Sequence, residues 1–348
     1  MKTEFKPKKI LITGHQGFIG AWVSFALYSL GFELYGVDNR SSYGERLFDK
    51  ADLKDIFIEE RIIDVEDLDL FSCFVAKTRP EIIIHLAGQA IIPRAFNQPF
   101  LTFKSNALST LSVLEAVRLS SDVKSLIAIT SDKVYQNDGS SHSFNELDML
   151  GGSDIYSVSK SSAEFLCRAY SLSHLKGRDI NIQTVRLGNV VGGGDWSVNR
   201  LIPDLINSAY QNNIFKVRYM NAIRPFQHIT DVVSGILNIT NASVSRKVGS
   251  GESWNLGPRD NSFGAVKDVI DTFKHFWPKL IVSQEEKVFK EDLVLSVDVG
   301  KYSNFFKKPY FNSNESIEMA IQWYKKFYEG ASPKELMVED LKILSKEQ

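Results

Sequence analysis

Short apolar runs recur through the first half of the chain at an interval that leaves room for one helix between neighbours. Lys9-Ile-Leu-Ile-Thr13, Phe32-Glu-Leu-Tyr-Gly-Val-Asp38, a stretch within Ile56 to Asp64, Glu81-Ile-Ile-Ile-His-Leu-Ala87 and Ser125 to Thr130 each read as a buried strand. Helical segments from about Ala21 to Leu30, Glu66 to Lys77 and Pro99 to Leu119 alternate with them, and a helix from Asp154 to about His174 leads to a sixth strand, Asn181 to Arg186. That rhythm predicts an α/β fold, a doubly wound parallel sheet with helices on both faces and ligands at the carboxyl ends of the strands. Gly14, Asp38, Gly88 and Thr130 fall at such ends.

After Arg186 the rhythm breaks. Leu187-Gly-Asn-Val-Val-Gly-Gly-Gly-Asp-Trp-Ser-Val-Asn-Arg200 is a glycine-rich irregular stretch of the kind that carries binding. A helix from Leu201 to Tyr210, a polar cluster Asn221-Ala-Ile-Arg-Pro-Phe-Gln-His228 and a further helix follow. Trp254 to Pro258 reads as a late strand and turn, and Asn314 to Gly330 as an amphipathic helix. No repeat or linker divides the chain, so the expected division is a Rossmann-type domain over 1–187 and a smaller, mainly substrate-binding domain over 188–348, with room for some of its segments to return to the sheet.

Gly14-His-Gln-Gly17-Phe-Ile-Gly20 stands between the first strand and the first helix. Glycines there allow a tight turn and close backbone approach to a pyrophosphate, whose charge is favoured at a helix amino terminus. Asp38 ends the second strand, where a carboxylate receives ribose hydroxyls, and this favours NAD over NADP; Arg40, two residues on, is a guanidinium that would receive a 2′-phosphate. Phe18, Ile19, Val65, Leu86, Ala87 and Gly88 are expected to complete the cofactor cleft. Asp64 stands either at the adenine amino group or on a surface turn.

Tyr156 and Lys160 lie one turn apart on one helical face, and a nearby ammonium favours a phenolate whose ordinary pKa is about 10. Such a pair moves a proton at an alcohol. Arg200 and Arg224 match phosphate oxygens, although a surface ion pair is an equally ordinary role for each. Lys plus Arg at 41 against Asp plus Glu at 42, with no polybasic run, argues against nucleic acid or an anionic membrane as partner. Cys73 and Cys167 make neither a metal-ligand spacing nor a disulfide framework, so no metal is expected. No apolar signal core or spanning run is seen, and a cytoplasmic protein is expected.

Thr13-Gly-His-Gln-Gly-Phe-Ile-Gly20, Asp38, His85-Leu-Ala-Gly88 and Tyr156-Ser-Val-Ser-Lys160 resemble the extended short-chain dehydrogenase/reductase superfamily. More narrowly, Ile129-Thr-Ser-Asp-Lys-Val-Tyr135, Arg186 to Trp196, Arg200-Leu-Ile-Pro-Asp204, Ile223 to His228 and Trp254 to Arg259 are similar to the CDP-glucose 4,6-dehydratases. Ile19, Phe226 and Gly151-Gly-Ser-Asp-Ile155 depart from that pattern, which commonly has Lys, Trp and a Pro before the Tyr. The resemblance implies NAD as cofactor, a nucleotide-sugar substrate and a homodimer or higher homo-oligomer built on helices near 100–119 and 155–174. It implies Tyr156 as base at the sugar 4-hydroxyl with Lys160 beside it, Lys133 as base at C5, Asp132 as acid for the 6-hydroxyl and Thr130 hydrogen-bonding near O4. Asn189, Arg200, Leu201 and Arg224 are its substrate contacts. Asp132 and Lys133 reach one substrate only if the strand has ended by Asp132, because neighbours on a strand face opposite ways. A 4-epimerase or reductase, a dehydratase for another nucleotide such as a GDP-heptose, and a non-catalytic dinucleotide binder are the rival readings.

Overall fold

A computed structural model describes residues 8–40, 44–259, 264–285 and 294–345. Strands β1 (Lys9–Thr13), β2 (Glu33–Asp38), β3 (Phe57–Ile62), β4 (Ile82–His85), β5 (Ser125–Ser131) and β6 (Asn181–Leu187) join a late strand, Glu252–Leu256, in one seven-stranded sheet. All its pairings are parallel, in the order late strand, β6, β5, β4, β1, β2, β3. The chain runs outward from β1 to β3 and then returns to β1's other side as β4. That reversal opens a crevice between β1 and β4 at their carboxyl ends.

The central strands carry few polar residues because both faces are covered. Ile127 and Ile129 of β5 enter one core and Leu126 and Ala128 the other. The polar exceptions are paired: Thr13 Oγ1 lies 2.7 Å from His85 Nδ1, and His85 Nε2 lies 3.3 Å from Thr110 Oγ1. Burial, helped by the charge of Lys160, brings the His85 pKa down to about 3 and keeps its ring neutral.

The first core does not stop at the sheet. Ile10 and Ile12 belong to the same apolar cluster as Ile206 on the helix Leu201–Gln211 and Trp323 on the helix Ser313–Tyr328. The carboxyl-terminal segments therefore pack onto the sheet without a separating linker. The chain also re-enters it: the helix Ile229–Val244 brings Ser243 Oγ to 2.6 Å from Ser125 Oγ, and Glu252–Leu256 becomes the edge strand beside β6. A terminal helix Pro333–Leu341 follows the expected one. No helix among the described residues is long and apolar enough to cross a membrane.

Two local departures bear on function. The first helix begins at Phe18, and Gly20 sits inside its first turn because a Cβ there would meet Gly14 O at 2.1 Å. The run expected as one helix from Pro99 to Leu119 is broken by a π turn at Lys104–Leu108, a feature that often marks functional sites.

Candidate active site

One cleft of about 530 Å³ runs from the glycine loop across the ends of β4 and β5 into the carboxyl-terminal half. Its first part is built for a dinucleotide. Gly14 has φ +73°, and a Cβ on it would lie 2.6 Å from Ala87 N, so backbone meets backbone at the crevice. The unpartnered amides of the first turn of Phe18–Ser29 open there. Asp38 accepts hydrogen bonds from Gln16 N–H (3.1 Å) and Arg40 N–H (2.8 Å), which fixes its carboxylate and leaves lone pairs for a diol. Gly17, Phe18, Ile19, Gly20, Val65, Leu86, Ala87 and Gly88 all line the cleft.

Two residues expected at the cofactor stand apart from the cleft lining. Arg40 is exposed, takes a left-handed φ of 57° and lies outside the cleft lining, because the turn after β2 carries it away. Asp64 also lies outside it, held at 2.6 Å by Asn39 Nδ2. Arg46 does line the cleft, and its Nη1 donates to Gln16 Oε1 at 2.5 Å.

The end of β5 decides the chemistry. Pairing stops at Ser131, and Asp132–Val134 form one 3-10 turn capped by Ser131, whose Oγ accepts from Lys133 N–H (3.2 Å) and donates to Asp132 Oδ1 (3.1 Å). Asp132 and Lys133 consequently both face the cleft. Asp132 is buried, and its Oδ2 lacks a hydrogen-bond partner among the described residues. Burial raises its pKa to about 6 against the pull of Lys133, Ser131 and Arg224.

Tyr156 projects from the first turn of Ile155–Leu172, where Asp154 caps the helix by accepting from Ser157 N–H at 3.0 Å. It is hydrogen-bonded with the Ser131 side chain. Burial pushes its pKa to about 12; Asp132 adds to the rise, and Ser131 and Arg200 oppose it. Lys160 is buried with its Nζ donating to Ile129 O at 3.2 Å; burial lowers its pKa to about 8, and Glu164 opposes that fall. After burial, the groups that weigh most on the phenol are Ser131, Asp132 and Arg200.

Thr130 ends the run of β5 side chains that turn toward the Tyr156 helix. It lines the cleft, while its hydroxyl donates to Glu164 Oε1 at 2.6 Å and Ser131 supplies the hydroxyl bonded with Tyr156. Asn106, in the π turn, was also unforeseen. It accepts from Gln89 N–H (2.8 Å) and donates to Gln89 O (3.0 Å) and Ser159 Oγ (2.9 Å), tying the loop after β4 to the Tyr156 helix. A Cβ on Gly88 would lie 2.7 Å from Asn106 Oδ1 and 3.2 Å from Lys160 Nζ.

Glu164 anchors the back of the site. It also accepts from Thr184 (2.8 Å) and Ser253 (2.9 Å), and it pairs with Arg186 at 3.0 Å, each partner's side chain being 3% exposed. Breaking a buried pair strands a charge, so Glu164→Gln should lose about 3 kcal/mol of stability in denaturant titration at neutral pH. Arg186 and the hydroxyls lower the Glu164 pKa against burial. Its contribution is therefore full above the ordinary carboxyl range and lost as pH falls through the depressed value, so the gap between wild type and variant should narrow in acid.

Asn189, Arg200, Leu201 and Arg224 also line the cleft. Arg200 Nη1 lies 3.9 Å from Asp195 Oδ2, and its charge reaches Tyr156; Arg224 is buried, donates to Ile223 O at 2.9 Å, and its charge reaches Asp132. Asp204, Lys216, Arg218 and Tyr219 line the cleft too, from the helix Leu201–Gln211 and the segment packed against it, and were unforeseen. The alternation Phe215-Lys-Val-Arg-Tyr219, two apolar residues interleaved with two cations, was the available signal.

The NAD dependent epimerase/dehydratase family model matches residues 10–257. The CDP-glucose 4,6-dehydratase of Salmonella typhimurium is 30% identical over 355 aligned residues, covering 100% of this chain and 96% of the relative. The dTDP-glucose 4,6-dehydratase 1 of Escherichia coli (strain K12) is 23% identical, over 91% of this chain and 92% of its own. The crystal structure of a dTDP-glucose 4,6-dehydratase from Bacillus anthracis in complex with NAD shares the fold, with a TM-score of 0.78 at 22% identity over 92% of this chain and 98% of that one. The chain belongs to the NAD-dependent epimerase/dehydratase family.

Proposed function

We propose that this chain is a cytoplasmic, NAD-dependent nucleotide-sugar 4,6-dehydratase that converts CDP-glucose to CDP-4-keto-6-deoxyglucose. The observation that carries the reading is the placement of Asp132 and Lys133 together on the cleft beside Tyr156, because β5 ends at Ser131. Gly14, Gly17, Gly20, Asp38 and Lys160 would hold the dinucleotide, which when bound supplies reversible hydride exchange with the sugar. Tyr156 takes the proton of the 4-hydroxyl. The resulting ketone acidifies the C5 hydrogen, which Lys133 accepts, and Asp132 delivers a proton to the 6-hydroxyl as it leaves as water. Reduction at C6 and return of a proton to C5 leave the sugar with no net redox change.

The raised pKa of Asp132 supports this role. With a pKa of about 6, protonating it at neutral pH costs about 1 kcal/mol, against about 4 for an ordinary aspartate. A 4-epimerase has no use for such an acid beside a base. The deciding experiment incubates the protein with CDP-, UDP- and dTDP-glucose and weighs the product: loss of one water is expected, and unchanged mass would overturn the reading.

Asp38 faces the position of a 2′-phosphate, so NAD should bind at least ~10-fold more tightly than NADP in a fluorescence titration, a like-charge contact costing ~1.4 kcal/mol or more. Assembly as a homodimer fits an apolar stripe on the Tyr156 helix. Val158, Phe165 and Leu172 recur every seven residues and are exposed, and Phe100, Leu101 and Leu108 are exposed on the neighbouring helical run. Phe165→Asp should shift the protein to monomer in sedimentation velocity.

A further inference from the structure

The cleft continues past Arg200 and Arg224 to an end walled by Ile202, Pro203, Val217 and Val266. On the dehydratase reading, a sugar at Tyr156 and Asp132 would set its diphosphate toward the two arginines and its base toward these apolar side chains. Asp204, in the first turn of the helix Leu201–Gln211, is among the polar residues of this part of the lining. Its carboxylate accepts from the backbone N–H of Asn199 and lies within reach of the Arg218 charge, with Asp195 and Glu285 as the nearest like charges. Burial raises its pKa to about 6, leaving it mainly ionised at neutral pH.

Resting on the dehydratase reading above, we propose that Asp204 reads the exocyclic amino group of the substrate base, so that this chain selects a cytidine diphosphate sugar over its uridine and thymidine counterparts. An ionised carboxylate offers acceptors only. Cytosine presents an amino donor at C4, whereas uracil and thymine present a carbonyl oxygen there, which would set two acceptors face to face. Arg218 supplies the complement, since its guanidinium only donates and the ring N3 and O2 of cytosine only accept. In uracil and thymine N3 carries a hydrogen and meets that donor with another. Asp204 and Arg218 together match one pyrimidine pattern, while the apolar walls cover the ring faces without distinguishing among bases.

The test compares kcat/KM for CDP-, UDP- and dTDP-glucose in the wild type and in Asp204→Asn, whose carboxamide can turn its amino group toward a C4 carbonyl. An unpaired buried polar group costs 1–3 kcal/mol, so the wild type should favour CDP-glucose by about 100-fold and the variant by less than about 10-fold. Should Asp204→Asn not fold, as judged by NAD binding, Asp204→Ser gives the same reading because its hydroxyl both donates and accepts. Equal use of the three substrates by the wild type, or an unmoved preference in a variant that still dehydrates CDP-glucose, would overturn the role of Asp204 and leave the dehydratase function standing. Dehydration of none of the three would overturn that function and this inference with it.

Discussion

Replacing Lys133 with methionine is expected to slow water loss by about 10³-fold while oxidation at C4 persists, the range in which a positioned base contributes. Methionine keeps the length of the side chain and cannot accept a proton. The backbone of the turn does not depend on the ammonium, because the Lys133 N–H is held by Ser131 Oγ at 3.2 Å and would be held equally in the variant. The step lost is removal of the C5 hydrogen, so the variant should fail to exchange that position with deuterated solvent. Asp132→Asn divides the work at the other point: C5 exchange should continue and departure of the 6-hydroxyl should stop, because a carboxamide is a poor acid. Mass spectrometry of the sugar separates the two, one showing no deuterium at C5 and the other deuterium without loss of water. A Lys133→Met protein that forms product at the parental rate would remove this side chain from the chemistry.

That pair was legible only conditionally. Asp132 and Lys133 are adjacent, and side-chain parity puts neighbours on a strand on opposite faces, so their joint use required the strand to end where it does. The same parity separates Thr130 from Ser131. Thr130 continues the set of Leu126 and Ala128, which faces the second core, and its hydroxyl meets Glu164; Ser131 continues the set of Ile127 and Ile129 and reaches Tyr156. Sequence shows two neighbouring hydroxyls and not which one the turn presents. The glycine loop, Asp38 and the Tyr156–Lys160 spacing were readable because local geometry dictates them. Glu164 was hidden because an acidic residue on an amphipathic helix ordinarily faces water, and here it faces Arg186. Asn106 depends on one π turn inside an apparently continuous helix, and Arg46 and Arg218 enter the cleft through tertiary packing of segments that have no recognisable spacing from the glycine loop.

Tyr156→Phe should reduce turnover by about 10⁴-fold, the upper end of what a single proton-transfer group supplies. Burial has taken this phenol to a pKa of about 12, so at pH 7 removing its proton costs about 7 kcal/mol before any charge enters the cleft. The protein's own opposition comes from Ser131 and Arg200, with the buried Lys160 one turn away on the same helix face. The positive ring of an oxidised dinucleotide would add to it, and on the reading proposed above the tyrosine would serve as a base only in the loaded cleft. The sign for pH follows. A phenol working as base is active when deprotonated, and wild-type turnover should rise by up to tenfold per pH unit until the lowered pKa of the loaded enzyme is passed. The Phe variant should lose that limb, and Arg200→Met should move it to higher pH by withdrawing one of the charges that favour the phenolate. Stability should change by only about 1 kcal/mol on losing the Tyr156 hydroxyl, since Ser131 keeps its bond to Asp132 at 3.1 Å. A Phe variant that folds, binds NAD and retains the rising limb would show that another group takes the proton from the sugar.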